Sequence, residues 1–493
     1  LEENTSGPSP GRVDQYLYPF FERDLASGVL DRSAAQELLL CFLLKFNEIP
    51  WLLSESGARY FAGYMPFMNI CVGGQTPNGR DASNELSYLL LDCVRRLRMY
   101  QPSLAARVHN ASPPEFLRAI AEVVRAGLGF PALHFDDPTI KMLLAEGIPV
   151  EDARDYCIMG CVEPYVHGKM ARWSSAVYTN FPIAIEFALT DGRHRATDQI
   201  LGARTGDPRS FASFEDFLDA VRQQLRHILD ASATATVVAQ AAHRLHLPKP
   251  VSSALVIGCL ESGRDITAGG AHYNCGPGVI CVGLADHANS LAAIKHLVYD
   301  TGAVSMAELC AALDADFQGY SVLHKKCLDA PKYGNDDDTV DLLAVEALDF
   351  MAAELGRRRG LYAKLELGTL SVTTNIPQGL AIGALPSGRK AAEPLADGIS
   401  PVAGSDRLGP TAAIKSVDKL NQEVSTVGTL FNMKLDPRLL ADDLGVANFI
   451  ALIRTHNQLG GAQIQFNCVS AADLLDAQQH PEKHRHLIVR VSG

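Results

Sequence analysis

The spacing of apolar side chains predicts helices along most of the chain. Apolar residues recur at helical intervals in the segments 31–48 and 84–100, and each pattern indicates a helix with a buried face. Further helix start signals lie at 112–115, 137–138, 213–216, 305–308 and 470–473. We interpret the first of these as a capping box of Ser112 and Glu115, with proline at the first helical position.

Short runs of aliphatic and β-branched residues between these helices predict strands. The clearest runs lie at 279–282, 369–373 and 487–491. Helices that alternate with short strands are typical of the α/β class. The Gly- and Pro-rich connections at 72–80, 268–278 and 383–410 are longer than ordinary turns, and such loops in a compact enzyme commonly carry a site.

Composition and charge limit the partners of the protein. The chain has 493 residues, of which 47% are hydrophobic and 20% charged, so it can bury a large core. A net charge of −12 argues against binding to nucleic acid or to an anionic membrane surface. The longest apolar run, 38–44, is far shorter than a bilayer span. We expect neither nucleic acid nor a membrane as a partner.

The cysteines indicate a reducing compartment. Eleven cysteines are scattered along the chain without a Cys-x-x-Cys pair, which predicts neither a disulfide framework nor a zinc ribbon. The spacing of Cys157, Cys161 and His167 fits no standard zinc site, so we expect no metal. The expected location is the cytoplasm, and packaging inside a bacterial microcompartment stays an open alternative.

The segment Gly160-Cys161-Val162-Glu163-Pro164 is the main candidate for chemistry. In an extended segment, residues two apart project to the same side, so Cys161 and Glu163 are expected to face one cavity while Val162 packs behind them. Gly160 and Pro164 favour a loop tip held in a core. Taken alone, the pattern is that of a buried cysteine beside a structural carboxylate.

Two distant segments together carry a family resemblance. Met-Gly-Cys-Val-Glu-Pro at 159–164 and Val-Arg-Val-Ser-Gly at 489–493 resemble the paired cysteine loop and glycine loop of the glycyl radical enzymes. Other segments that are similar to this family lie at 73–81, 134–137, 151–156, 330–338 and 397–401. The resemblance therefore extends over nearly the whole chain.

The resemblance implies a ten-stranded α/β barrel with helices outside and two finger loops that meet at its centre. Residues 1–370 would form a pyruvate formate-lyase-like barrel domain with the cysteine loop, and residues 371–493 a glycine radical domain. The chain begins at Leu1 and stops at Gly493 within the apparent glycine loop. We therefore expect a fragment at both ends, with the N-terminal part of the barrel missing.

The same resemblance implies a role for three residues. Gly493 would store a radical on its Cα, Cys161 would relay it to the substrate as a thiyl radical, and Glu163 would be the general base that removes a hydroxyl proton. A separate radical S-adenosylmethionine activase would install the radical on Gly493. The enzyme itself would need no bound cofactor, and a homodimer is expected.

Within the family, the detail resembles the choline trimethylamine-lyases. The stretch 173–182 is similar to the segment after their cysteine loop, which implies that Ser174 and Tyr178 bind the substrate. Phe67 corresponds to a phenylalanine at their substrate, and a cation over an aromatic face gains roughly 0.5 to 2 kcal/mol. We therefore predict a C–N lyase that cleaves choline to trimethylamine and acetaldehyde.

Several alternatives stay open. One is a sister eliminase, either a glycerol or propanediol dehydratase or an isethionate-type C–S lyase. A dehydratase must protonate departing water, yet the stretch 173–178 offers only hydroxyls, which favours an amine leaving group. Val162 stands where the formate-acetyltransferase branch has a second cysteine, which argues against that branch. Alternatives of another class are a cysteine acyl-transfer enzyme and a non-catalytic homologue.

Overall fold

The computed structural model describes residues 7–49, 51–61, 67–484, 487 and 489. The α-helices in this part of the chain are α1 (Val13–Tyr16), α2 (Tyr18–Ala26), α3 (Arg32–Lys45), α4 (Glu55–Phe61), α5 (Glu85–Leu97), α6 (Pro114–Arg125), α7 (Asp136–Ala145), α8 (Val150–Arg154), α9 (Ile183–Leu189), α10 (Phe214–His246), α11 (Pro250–Leu255), α12 (Cys259–Ser262), α13 (Leu284–Ile294), α14 (Met306–Asp314), α15 (Ser321–Asp329), α16 (Asp338–Gly356), α17 (Asn375–Leu380), α18 (Pro410–Asp418), α19 (Asp443–Gln458) and α20 (Ala471–Gln479). The β-strands are β1 (Asn69–Gly73), β2 (Ser103–Val108), β3 (Ala132–Phe135), β4 (Cys157–Met159), β5 (Glu163–Tyr165), β6 (Met170–Arg172), β7 (Val177–Asn180), β8 (Tyr273–Cys275), β9 (Gly278–Val282), β10 (Glu366–Thr369), β11 (Gly428–Thr429), β12 (Asn432–Leu435) and β13 (Gln463–Cys468).

Two main sheets organise these strands. One has the order β1-β2-β3-β13-β12 and the other β11-β10-β9-β7. Neighbouring strands are parallel except for β3 and β13. Strands β1, β2 and β9 are buried along their whole length, as expected when helices cover both faces of a parallel sheet. The predicted α/β class is confirmed, whereas closure into a ten-stranded barrel stays a prediction.

Local capping signals placed most predicted helices correctly. The side chain of Asp31 caps α3, and that of Asn84 caps α5. Ser213 and Asp216 form a capping box that begins the 33-residue helix α10. Ser305 and Ser470 accept hydrogen bonds from the backbone of the first turns of α14 and α20. These contacts join neighbours in sequence, which is why the sequence alone reveals them.

Three predicted local structures need correction. Helix α6 begins at Pro114 without a side-chain cap, and the hydroxyl of Ser112 instead accepts a hydrogen bond from the His109 N–H at 2.9 Å. The strand predicted at 369–373 lies earlier, because β10 ends at Thr369 and Val372 has φ of 51° in the following turn. The predicted pattern of buried residues in 31–48 includes Leu38, Leu39 and Leu43, but in α3 Leu38 is 58% exposed while the other two are buried. The strand predicted at 487–491 falls partly outside the described residues.

A small antiparallel hairpin of β4 and β5 lies between the two main sheets. On one side the Ile158 N–H donates to the sulfur of Cys71 in β1 at 3.0 Å. On the other side Gly428 in β11 approaches the backbone of Val162 so closely that a Cβ on Gly428 would lie 2.5 Å from the Val162 carbonyl oxygen. Only glycine permits this contact, so the hairpin tip is held between sheets by backbone packing.

Two further features concern the cysteines and the helices. All eleven cysteines are free thiols. Among the described helices, none has both the length and the apolar character needed to cross a bilayer.

Candidate active site

The tip of the β4–β5 hairpin carries Cys161. Met159 pairs with Glu163 across the hairpin, so Gly160, Cys161 and Val162 form the connecting turn. Gly160 has φ of 63°, a left-handed conformation that glycine adopts without a Cβ clash. The loop tip predicted from Gly160 and Pro164 is therefore present. Cys161 lies in the turn rather than in the strand, so the alternation of an extended segment does not determine its direction.

The side chain of Cys161 belongs to a buried apolar cluster. The members of this cluster are Phe67, Cys161, Val162, Ile280, Val282, Leu370, Val372, Ile382, Leu385, Leu395, Val427 and Leu430, with Tyr178 and Ile183 packed against them. Cys161 is 5% exposed. Leu385 and Leu395 come from the long connection 383–410, which the sequence indicated as a loop that carries a site. The cluster thus brings three predicted site residues together: Phe67, Cys161 and Tyr178.

The carboxylate of Glu163 folds back onto the hairpin tip. Its Oε2 accepts hydrogen bonds from the N–H groups of Cys161 at 2.9 Å and of Val162 at 2.8 Å. Burial raises the pKa of Glu163, and the hydrogen bonds to its charged form only partly oppose this effect. A buried carboxylate with a raised pKa is a stronger base than a solvated one, so the group suits proton removal.

The other oxygen of this carboxylate meets a predicted substrate residue. The hydroxyl of Ser174 donates to Oε1 of Glu163 at 3.4 Å, and both residues are buried. Cys161, Glu163, Ser174, Tyr178 and Phe67 therefore occupy one region between the two sheets. The roles assigned to them from the sequence stay predictions. Gly493 lies outside the described residues, so the meeting of the two loops also stays a prediction.

Two polar residues that the sequence did not reveal support the hairpin. The Asn69 side-chain amide in β1 donates to the carbonyl oxygens of Gly160 at 3.1 Å and of Cys161 at 3.5 Å. The fully buried Arg107 donates to the carbonyl oxygen of Tyr156, the residue before β4, at 2.5 Å. An asparagine inside an apolar run is unusual for a strand and was the only available signal for Asn69.

A buried charge cluster contacts the hairpin at Pro164 in β5 through Arg172. Donor atoms of Glu146, Cys275 and Glu366 all lie within 4.8 Å of one another. This spacing is suitable for a cation, but the guanidinium of Arg172 already pairs with both carboxylates. Burial raises the pKa of Glu146 to about 7, and the neighbouring charge of Glu366 adds to the effect that Arg172 opposes.

This pKa predicts a change in the pH dependence of stability for Glu146→Gln. Between about pH 4.5, the ordinary pKa of this carboxyl, and pH 7, the folded protein holds a proton that the unfolded chain has lost. The carboxyl therefore lowers the free energy of unfolding as pH rises, by about 3 kcal/mol at most. Urea unfolding at pH 5, 6, 7 and 8 should show the variant gaining stability over the wild type as pH rises.

Glu354 provides a matched control for this experiment. Burial acts to raise its pKa, but hydrogen bonds from Arg358 and Arg226 lower the pKa overall. Glu354→Gln should therefore lose stability at every pH above about 4.5 and show no gain toward pH 8. A stability difference for Glu146→Gln that does not vary with pH would contradict the raised pKa.

Comparison with known proteins shows clear relatives over the whole chain. The family model described as "Pyruvate formate lyase-like" matches residues 1–379, and the one described as "Glycine radical" matches residues 395–493. Trans-4-hydroxy-L-proline dehydratase from Clostridioides difficile is 38% identical, over 98% of this chain and 62% of the relative. Isethionate sulfite-lyase from Bilophila wadsworthia is 35% identical, over 100% of this chain and 60% of the relative.

Solved structures agree with these relatives. The structure described for 1,2-propanediol dehydration in Roseburia inulinivorans has a TM-score of 0.95 and 40% identity, covering 98% of this chain and 62% of that one. The glycerol-bound B12-independent glycerol dehydratase from Clostridium butyricum has a TM-score of 0.95 and 37% identity, covering 98% and 61%. The chain thus spans about three fifths of the length of these proteins.

Proposed function

Because the chain belongs to the glycyl radical enzymes and has the α/β fold of their solved members, we propose that it catalyses a radical elimination with Cys161 and Glu163. The observation that carries this proposal is the pair itself: a buried thiol and a buried carboxylate with a raised pKa on the tip of one hairpin. Gly493 is the proposed radical store, and a separate radical S-adenosylmethionine activase is its proposed source.

The two side chains perform different steps of the proposed reaction. The Cys161 thiyl radical takes a hydrogen atom from the substrate carbon that carries a hydroxyl group. Glu163 then removes the hydroxyl proton, and the resulting ketyl radical anion expels the group on the adjacent carbon far more readily than its neutral form. When that group is hydroxide, it takes up the proton held by Glu163 and departs as water, which restores the carboxylate. The product radical recovers a hydrogen atom from Cys161, so the thiyl radical is regenerated and the substrate is neither oxidised nor reduced overall.

The relatives favour a sister eliminase over choline cleavage. Their names describe dehydratases of hydroxyproline, propanediol and glycerol and a sulfite-lyase of isethionate. We therefore propose dehydration of a small vicinal diol as the main activity, because such a substrate carries the hydroxyl that Glu163 deprotonates next to the hydroxyl that leaves. The choline interpretation rested on Ser174, Tyr178 and Phe67, and none of these relatives supports it. These three residues remain the proposed substrate contacts on this side of the site.

Two organisational features belong to the same proposal. Residues 1–370 are proposed to form the barrel domain with the cysteine loop, and residues 371–493 the glycine radical domain. A homodimer and a transient complex with the activase are the proposed assemblies. Both are accessible to size-exclusion chromatography with light scattering under anaerobic conditions, with the activase added in a second run.

A substrate panel tests the proposed function. The protein is activated anaerobically, the glycyl doublet is quantified by electron paramagnetic resonance, and propane-1,2-diol, glycerol, trans-4-hydroxy-L-proline, isethionate and choline are offered separately. We expect a dehydration product from a diol, and no trimethylamine. Trimethylamine from choline alone would restore the C–N lyase prediction. A full glycyl doublet without product from any compound would favour the non-catalytic alternative.

A further inference from the structure

Arg172 connects the candidate base to the rest of the fold. Its buried guanidinium donates through Nη1 to the carbonyl oxygen of Pro164 at 2.6 Å. It also pairs through Nη2 with Glu146, which follows α7, and through Nε with Glu366 of β10 at 3.0 Å. One side chain of β6 thus joins the β4–β5 hairpin, the end of α7 and the second main sheet.

The contact with Pro164 bears directly on Glu163. Pro164 is the next residue in β5, so a fixed Pro164 carbonyl restricts the backbone from which the Glu163 carboxylate projects. Ser174, two residues after Arg172, donates to the carboxylate itself at 3.4 Å. The segment 172–174 therefore holds Glu163 at two points, one on the main chain and one on the side chain.

The two acidic partners explain how Arg172 is held in turn. Glu366 is anchored through its other oxygen, which accepts a hydrogen bond from the Gly276 N–H at 2.7 Å. Arg172, Glu146 and Glu366 have side chains that are 0%, 5% and 3% exposed, so water does not compete for these bonds. Nη1 and Nη2 donate hydrogen bonds to Pro164 and Glu146, whereas the Nε–Glu366 contact is an ion pair without hydrogen-bond geometry. A guanidinium presents its donors in a rigid plane, and a lysine ammonium cannot reproduce this arrangement.

From these contacts we propose that Arg172, held by Glu146 and Glu366, is the positioning residue for the general base Glu163. This inference rests on the proposed function, because Glu163 needs to be positioned as a base only if it removes a proton in that reaction. Arg172 contacts β5, the hairpin strand that carries Glu163, whereas Arg107 contacts the carbonyl oxygen of Tyr156 just before β4. A defect at Arg172 should therefore affect proton removal and spare hydrogen abstraction by Cys161.

The test compares Arg172→Lys with Arg107→Lys in the activated protein. The probe is propane-1,2-diol, or the panel compound that the wild type converts fastest. For Arg172→Lys we expect a normal glycyl doublet, a 10- to 100-fold lower kcat, a KM within about threefold of the wild type, and a substrate-derived radical in freeze-quenched samples. For Arg107→Lys we expect no accumulation of that radical, since both steps should slow together.

Glu146→Gln serves as the milder variant if Arg172→Lys does not fold. It keeps Arg172 and its bond to Pro164 and should lower kcat several-fold, again with accumulation of the substrate-derived radical. Unchanged kcat in both variants, or a loss without that radical, would overturn the positioning role. Equal radical accumulation in Arg107→Lys would also overturn it. Absence of turnover by the wild type would instead remove the proposed function, and the inference with it.

Discussion

Replacement of Cys161 by serine is expected to abolish product formation from every compound of the panel while the glycyl doublet remains. An S–H bond is close in strength to a glycyl C–H bond, so hydrogen moves between them in either direction, whereas an O–H bond is much stronger. Serine nearly matches cysteine in size, so the buried position at the hairpin tip stays filled. On the same activated sample, electron paramagnetic resonance measures the glycyl radical and chromatography measures the product, so the two are determined separately.

Cys157 offers a matched control on the same hairpin. It is a buried thiol in β4 that donates to the Tyr165 carbonyl oxygen at 3.4 Å, and a serine hydroxyl can make the same bond. Cys157→Ser should therefore keep most of the wild-type activity. Product formation by Cys161→Ser would refute the thiyl mechanism. An equal loss in Cys157→Ser would show that the hairpin, rather than the sulfur at position 161, was sensitive.

The sequence predicts elements well where their signals are local. Ser213 and Asp216 satisfy each other within one helical turn, so the start of α10 can be predicted without knowledge of the fold. The strand β10 shows the opposite case. Its sequence begins with Glu366 and contains Gly368, which do not resemble a buried strand. Glu366 is nevertheless buried, in an ion pair with Arg172 of β6 and a hydrogen bond from the Gly276 N–H. Arg172 and Glu366 are 194 positions apart, so no local sequence pattern predicts their contact.

In the candidate site, too, the local features were predictable from the sequence and the long-range contacts were not. Cys161 and Glu163 were predicted from a continuous segment, and the structure keeps them on one hairpin. Asn69 and Arg107 stabilise that hairpin, yet each is at least 49 residues from its hydrogen-bond acceptor there. The choline prediction depended on Phe67 and on the hydroxyls of Ser174 and Tyr178, and such residues occur in many buried loops. Those hydroxyls do not distinguish an amine from water as the leaving group, so they could not determine the substrate class. The relatives favour a different class from the one predicted.

Replacement of Glu163 by glutamine is expected to lower product formation by about 10² to 10⁴-fold, the usual contribution of a general base. The amide oxygen of glutamine can accept the two hydrogen bonds that Oε2 accepts from Cys161 and Val162, so the hairpin should keep its shape. Hydrogen abstraction by Cys161 should continue, and a substrate-derived radical should accumulate in freeze-quenched samples because its hydroxyl proton is no longer removed.

The pH dependence of kcat gives an independent measurement of the same role. Only the charged carboxylate can remove a proton, and burial raises the pKa of Glu163, so wild-type activity should increase as pH rises through that elevated pKa. Glu163→Gln should lack this rising limb and show a flat, low rate in its place. Glu163→Asp should retain the limb at reduced rate, because its shorter side chain keeps the base and loses the fit to both hairpin N–H groups. A rising limb in Glu163→Gln would assign proton removal to another residue, since an amide does not titrate in this range.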